Sequence, residues 1–225
     1  MIHMRALIFS LLLGALLLPL GYGQRLANAG RASMSAEGSN LPEPGQANQN
    51  DVASIEIYAR GLDGYIRRNS RAARHFADTG SYVSDNAPAR WQEFRTKAAL
   101  DNAWQNGSTY TSSNVWFNQT GEPVVALFTF SSPSGDWAQY MTNYYRRDGT
   151  LAKSSAELRT FMGDIIRINN RFYDDKGKLL REQTRFLDLT TRRPKRVKKD
   201  EFMDMEAPLY ASTSALPFYR LLKKR

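Results

Sequence analysis

The sequence predicts an α+β domain, in which N-terminal helices pack on a curved antiparallel β-meander of about six to seven strands. Two observations support this class. The same sequence unit occurs three times at equal spacing, starting at Trp116, Tyr144 and Phe172. Apolar residues alternate with polar ones along these repeats, and helical periodicity comes before them. Spacing this regular indicates repeated supersecondary units, here three hairpins.

Each repeat is predicted to be a strand, a tight turn and a second strand. Aromatic residues open the unit, and a glycine follows in the turn, at Gly121, Gly149 and Gly177. Thr120 precedes the first of these glycines, and a β-branched residue resists the positive φ that a two-residue type I′ turn requires. A three-residue loop, with a type I turn and a G1 bulge at the glycine, is therefore the better interpretation.

The loop length also predicts how the sheet divides into two faces. A three-residue loop pairs even-numbered residues with even-numbered ones, so the even positions form one apolar face and the odd positions one charged face. On the apolar face, small residues between 152 and 156 neighbour the strand of Tyr140 and Tyr144, which leaves two alternatives, interdigitated packing or a groove. Glu182 falls on the same face and requires a bulge or a polar partner, because burying an unpaired carboxylate is costly.

Helical periodicity precedes the repeats within residues 51–105, and we expect two helices there. The first covers 51–77, with Asp51 as a suitable N-cap. The second covers 88–105, because Pro88 fits the first turn of a helix. The β region follows over 108–190, so that 51–190 forms one domain whose helices cover the apolar face of the meander.

The two ends of the chain differ from this domain in composition. Residues 1–23 combine a basic start with an apolar run, as in a secretory signal peptide, with cleavage after Gly23 or Ala29. Residues 24–50 have the composition of a flexible linker, and residues 191–225 that of a basic C-terminal tail. We therefore expect export to the periplasm or the outside of a bacterial cell. The chain has no cysteine, which excludes disulfides and a lipoprotein anchor.

The formal net charge of +9 favours anionic partners, although such a charge also serves solubility alone. One basic run near the C-terminus is either a patch that binds an anionic lipid surface or a solvated tail. It consists of Arg192, Arg193, Lys195, Arg196, Lys198 and Lys199. Export makes nucleic acid a poor partner, and we expect none.

The sequence contains no recognisable catalytic or cofactor motif. Without the signal peptide His75 is the only histidine, and HExxH, GxSxG and GxGxxG patterns are absent. We therefore expect no metal, no cofactor and no catalytic residue. Carboxylates remain the only option for acid–base chemistry. They are Asp136, Glu157, Asp164, Asp174, Asp175 and Glu182.

Four aromatic residues form the candidate ligand-binding site of the sequence. Trp137, Tyr140, Tyr144 and Tyr145 follow the stretch SSPSGD (131–136), which is a candidate lid or mouth loop. Aromatic rings here would stack on a sugar or line an apolar groove. The alternative is ordinary packing, because aromatic residues are common in strands and pair across sheets.

Two of the repeats resemble a known family. The segments YYRRDGTL at Tyr144–Leu151 and FYDDKGKL at Phe172–Leu179 are similar to the MORN-variant (YwqK-like) hairpin repeats of bacterial proteins. The first repeat departs from that pattern, with Glu122 and Pro123 after its glycine. The resemblance implies an interaction module without catalytic residues, so no site residue is carried over from it.

Three functions are compatible with these features. The first is an exported, non-catalytic envelope protein that binds an apolar or amphipathic small molecule between helix and sheet, or a protein partner. The second is an interaction module that docks on an anionic envelope surface through its basic tail. The third is a hydrolase, which requires two of the six carboxylates about 5–9.5 Å apart in a cleft.

Overall fold

The structure is a computed structural model that describes residues 51–80, 88–198 and 205–223. The predicted signal peptide (1–23) and linker (24–50) lie outside these ranges and remain predictions. Within the described ranges, no helix is long and apolar enough to span a membrane.

The described part of the chain forms one antiparallel sheet of eight strands with three helices. The helices are α1 (Val52–Arg68), α2 (Lys97–Gln105) and α3 (Tyr219–Leu222). The strands are β1 (Arg74–Asp78), β2 (Trp91–Phe94), β3 (Thr111–Phe117), β4 (Pro123–Ser131), β5 (Trp137–Tyr145), β6 (Leu151–Thr160), β7 (Ile165–Tyr173) and β8 (Leu179–Asp188). Their order is β2-β1-β3-β4-β5-β6-β7-β8, and the predicted α+β meander is confirmed.

Strands β1 and β2 occupy residues for which the sequence predicts helices, so the prediction of helical structure throughout 51–105 is wrong. Helix α1 ends at Arg68, and α2 begins only at Lys97. The reason is tertiary: β1 pairs with β3 on one side and β2 on the other, and this ladder overrides the local periodicity. Asp51 caps α1 as predicted, whereas Thr96, not Pro88, caps α2.

A glycine in the left-handed region lies in each turn of the meander from β3 to β8. Gly149 represents four of these turns, with φ of +83° and its N–H donating to the Arg146 carbonyl at 3.0 Å, which confirms the predicted loop type. The β6–β7 turn differs, because Asp164 also has a positive φ and its N–H donates to the Phe161 carbonyl at 3.2 Å. Successive glycines with positive φ are equally spaced, at half the spacing of the predicted unit, so the true repeat is one strand and one turn. They are Gly107, Gly121, Gly135, Gly149, Gly163 and Gly177.

The loop 131–136 is one of these turns and not a lid. The N–H of Gly135 donates to the carbonyl of Ser132 at 3.1 Å, and β4 continues directly into β5. The loop therefore connects neighbouring strands at one end of the sheet.

A register shift in three hairpins overturns the predicted division of the sheet. Phe117 pairs with Pro123, as a three-residue loop requires, but Trp116 pairs with Val125. The same shift occurs in the β5–β6 and β7–β8 hairpins. Beyond it, even-numbered residues face odd-numbered ones, so apolar side chains are distributed over both faces. The prediction of one apolar and one charged face is therefore wrong.

Helix α1 covers one face of the sheet, which we call the helix face. Leu62 packs there against Trp116, Val125 and Tyr144. The Tyr144 hydroxyl donates to Asp63 Oδ1 at 2.8 Å, which satisfies the polar end of a buried ring. The expectation that a helix covers the sheet is confirmed for α1, whereas α2 contacts β1 and β2.

Residues 205–222 cover the opposite face, which we call the C-terminal face. Phe218 stacks on Phe76 with ring centroids 4.4 Å apart, and Tyr210 stacks on Phe128 at 4.8 Å. Phe218 is only 1% exposed. The prediction of a separate tail over 191–225 is therefore wrong for this segment, because burial of its aromatic side chains makes it part of the core.

Arg146 links two hairpins at one end of the sheet. Its guanidinium donates to the Leu151 carbonyl at 2.8 Å and to the Tyr173 carbonyl at 2.5 Å, and the residue is 7% exposed. Burial lowers the pKa of this guanidinium, but not enough to remove its charge, since arginine titrates far above neutral pH.

We predict that Arg146→Ala destabilises the fold by about 2–4 kcal/mol, because two buried carbonyls lose a charged donor. Urea unfolding followed by circular dichroism measures this. Arg147 is the matched control, because it is the next residue and is exposed. Arg147→Ala should change the free energy of unfolding by no more than about 0.5 kcal/mol. Equal effects of the two changes would contradict the structural role of Arg146.

We also predict a loss of stability in alkali. Burial raises the pKa of Tyr58, a residue of α1, and of Tyr210, in the C-terminal segment, each to about 12. In the unfolded chain a phenol ionises near pH 10. The folded state favours the neutral phenol, so this stabilisation is complete below pH 10 and disappears as the pH rises towards 12.

Urea midpoints and tyrosinate absorbance, measured over the same pH range, test this prediction. Tyr58→Phe should show a shallower fall in stability than the unmodified protein. Complete ionisation near pH 10 without loss of structure would contradict it.

Candidate functional site

A cavity of about 400 Å³ lies on the C-terminal face, between strands β6–β8 and the C-terminal segment. Its floor includes the small side chains of Ser154 and Ala156. The sequence leaves two alternatives open here, interdigitated packing and a groove. The structure has a groove at Ser154 and Ala156. Ala152 differs from them, because it packs against Ile55 of α1 on the other side.

Apolar side chains form part of the cavity wall. Phe186 comes from β8, whereas Pro208 and Leu209 come from the C-terminal segment. Leu209 is 52% exposed, so the wall is apolar where it also meets solvent. The cavity therefore has the mixed character of a site for an amphipathic molecule.

Arg171 joins the sheet to the C-terminal segment at this cavity. Its Nε donates to Glu182 Oε1 at 2.8 Å, and its Nη2 lies 3.7 Å from Glu206 Oε1. Hydrogen bonds from Asn169 and Arg171 hold the pKa of Glu182 below its usual value, and the bond to Glu182 raises the pKa of Arg171. The sequence requires either a bulge or a polar partner at Glu182, and the structure provides polar partners. Both Glu182 and Arg171 are charged at neutral pH.

Asn169 lines the cavity, and one of its two side-chain polar atoms lacks a hydrogen-bond partner among the described residues. Its Nδ2 donates to Glu182 Oε1 at 2.8 Å, which fixes the orientation of the amide. The opposite atom, Oδ1, is buried and has no donor among the described residues. Buried polar atoms are nearly always paired in proteins, so this oxygen is an exception among the side chains that line the cavity.

A second contact holds the C-terminal segment over the sheet. Arg167 of β7 donates a hydrogen bond to the main-chain carbonyl of Met205, and Gln139 Nε2 donates to the same carbonyl at 3.3 Å. Arg167 also lines the cavity. The C-terminal segment, which forms one wall of the cavity, is therefore held in place by side chains of the sheet.

The structure does not bring the four sequence-predicted aromatic residues together, and none of them lines the cavity. Tyr145 lies on the C-terminal face and Tyr144 on the helix face, and both are buried. Tyr140 lies on the helix face beneath the guanidinium of Arg159, at 5.0 Å. Trp137 begins β5 and is half-buried. Core packing, the alternative raised by the sequence, describes Tyr144 and Tyr145.

The basic run is ordered against β8 over its first part. Pro194 forms a bridge with Leu187, and Lys195 Nζ donates to the Gly163 carbonyl at 2.8 Å. Arg192 lies 3.9 Å from Glu157. The backbone of this part is therefore attached to the sheet, whereas Arg192, Arg193, Arg196 and Lys198 are exposed to solvent, and Lys199 lies outside the described residues.

The remaining candidates for chemistry are dispersed. Of the six carboxylates that the sequence offers, Glu182 alone lines the cavity. His75 lies in β1, where its Nδ1 is 2.7 Å from Asn114 Oδ1, a contact between neighbouring strands. In the part of the chain that the structure describes, no three His, Cys, Asp or Glu side chains cluster as a metal site.

Comparison with protein-family models, curated proteins and solved structures finds no match. The resemblance of two segments to MORN-variant hairpin repeats therefore stays a prediction.

Proposed function

We propose that this protein is an exported, non-catalytic binding protein that holds a small amphipathic molecule in the cavity of the C-terminal face. The observation that carries the proposal is a cavity of about 400 Å³ whose lining combines apolar side chains with charged and amide groups. Ligand sites typically have volumes of about 300–1,000 Å³, with apolar walls and a few polar groups that orient the ligand.

The lining favours one class of ligand. An apolar body fits against Ala156, Phe186 and Leu209, and a polar group fits beside the charged side chains of the lining. The charged lining residues are two arginines and two glutamates, Arg167, Arg171, Glu182 and Glu206. Since Arg171 pairs with both glutamates, the ligand that fits best is neutral or zwitterionic.

The cavity lies on the face opposite to the one expected from the sequence. The sequence predicts a ligand between helix and sheet, but α1 packs on the helix face and the cavity belongs to the C-terminal face. Export, the other part of the proposal, is supported by the signal-like composition of residues 1–23.

The hydrolase alternative receives less support from the same cavity. Glu182 is the only one of the six candidate carboxylates in the lining, and its pKa is lowered by Asn169 and Arg171. A carboxylate held in its ionised form is unsuited to act as a general acid. We therefore propose binding and not catalysis.

Native mass spectrometry on the mature protein, purified from its own host, tests the proposal. We predict a co-purifying small molecule in the unmodified protein. Ala156→Phe should reduce its occupancy about tenfold or more, because the larger side chain fills the floor of the cavity and removes contact area.

Ser155→Phe is the matched control, because it makes a comparable change at the next residue of β6, whose side chain lies on the helix face. This variant should retain the molecule. A clean apo mass for the unmodified protein would overturn the proposal. Equal retention by both variants would place the bound molecule outside this cavity. Thermal unfolding of each variant verifies that the fold is intact.

A further inference from the structure

The turn between β6 and β7 exposes two adjacent apolar side chains. Phe161 is 67% exposed and Met162 is 52% exposed. They open the four-residue turn 161–164, at the end of the sheet that also carries the loop 131–136. Single exposed apolar residues are common on protein surfaces, but two neighbouring ones at the tip of a hairpin form a small projecting apolar surface.

The basic run is fixed to this same turn. Lys195 Nζ donates to the carbonyls of Gly163 and Asp164, at 2.8 and 3.2 Å. The N–H of Leu189 donates to the Asp164 carbonyl at 3.0 Å. The apolar tip and the basic run therefore form one corner of the sheet, although the whole of β7 and β8 separates them in the sequence.

Free positive charge remains at this corner. Arg193 and Arg196 are exposed, and neither guanidinium has a partner among the described residues. Arg192 is exposed as well and lies 3.9 Å from Glu157, a pairing that solvent weakens. Lys195 is paired as well, with Asp188 at 3.7 Å. The corner thus combines an apolar tip with two arginines, Arg193 and Arg196, that no described residue neutralises.

We propose that this corner, made of the turn 161–164 and residues 192–196, docks the protein on an anionic lipid surface. Phe161 and Met162 enter the interfacial region, while Arg193 and Arg196 contact lipid headgroups. An apolar tip bordered by cations matches the layered chemistry of a membrane surface. An acidic protein would pair with the arginines but would have no need of the projecting apolar tip. The proposal goes beyond ligand binding in the cavity.

Vesicle co-sedimentation of the mature protein tests the proposal. The probes are phosphatidylcholine vesicles, and vesicles with phosphatidylglycerol as about one lipid in three. We predict binding to the anionic vesicles that weakens steeply with salt. The double change Phe161→Ser and Met162→Ser should weaken binding about tenfold or more. Reversing charge with Arg193→Glu and Arg196→Glu should weaken it at least as much, since each cation contributes roughly fivefold.

Ile57→Ser is the matched control, because Ile57 is 62% exposed but lies on α1, away from this corner. It should leave binding unchanged. Absence of binding to anionic vesicles would overturn the proposal, as would equal binding to both vesicle types. Sensitivity to the arginine changes alone, with Phe161 and Met162 without effect, would show a purely electrostatic contact and would overturn the docking of the apolar tip.

Discussion

The positive φ of one glycine in each turn is the constraint on which the rest of this structure depends. From Gly107 to Gly177 these glycines recur at one constant interval, so a strand and its turn together always span the same number of residues. A side chain at such a position costs energy, because L-residues rarely adopt this backbone conformation. Gly149 is restricted twice, since a Cβ there would lie 2.7 Å from Thr213 Oγ1 of the C-terminal segment. Both the turn and the C-terminal segment that packs against it therefore require glycine at this position.

Much of the meander could be predicted because its signals are local. The repeat, the turn type and the cap at Asp51 each depend on a few adjacent residues. The assignment of side chains to the two faces of the sheet could not be predicted. A single extra residue near Val124 changes every later pairing in the β3–β4 hairpin, and no local pattern marks it. The shorter period of one strand and one turn was accessible in principle, since Gly135 and Gly163 lie midway between the glycines that define the longer repeat.

The candidate site was harder to predict than the fold because its residues are distant in sequence. Ser154 and Ala156 gave a local signal for a groove, but simple alternation places Asn169 and Arg171 on the predicted charged face. The wall at Leu209 comes from a segment that resembles a tail by composition. For β1, helical periodicity around Phe76 was a misleading signal, because pairing with β3 determines its conformation. These contacts depend on tertiary packing, which periodicity alone does not encode.

The cavity and the corner made of the turn 161–164 and residues 192–196 are physically separable, although one short segment contributes to both. Lys195 is fixed to the turn 161–164, and Val197, close behind it in the chain, lines the cavity. The groups that carry each proposal do not overlap: Asn169 lies on the C-terminal face, whereas Phe161 projects from the end of the sheet. A change at either position therefore leaves the contacts of the other in place.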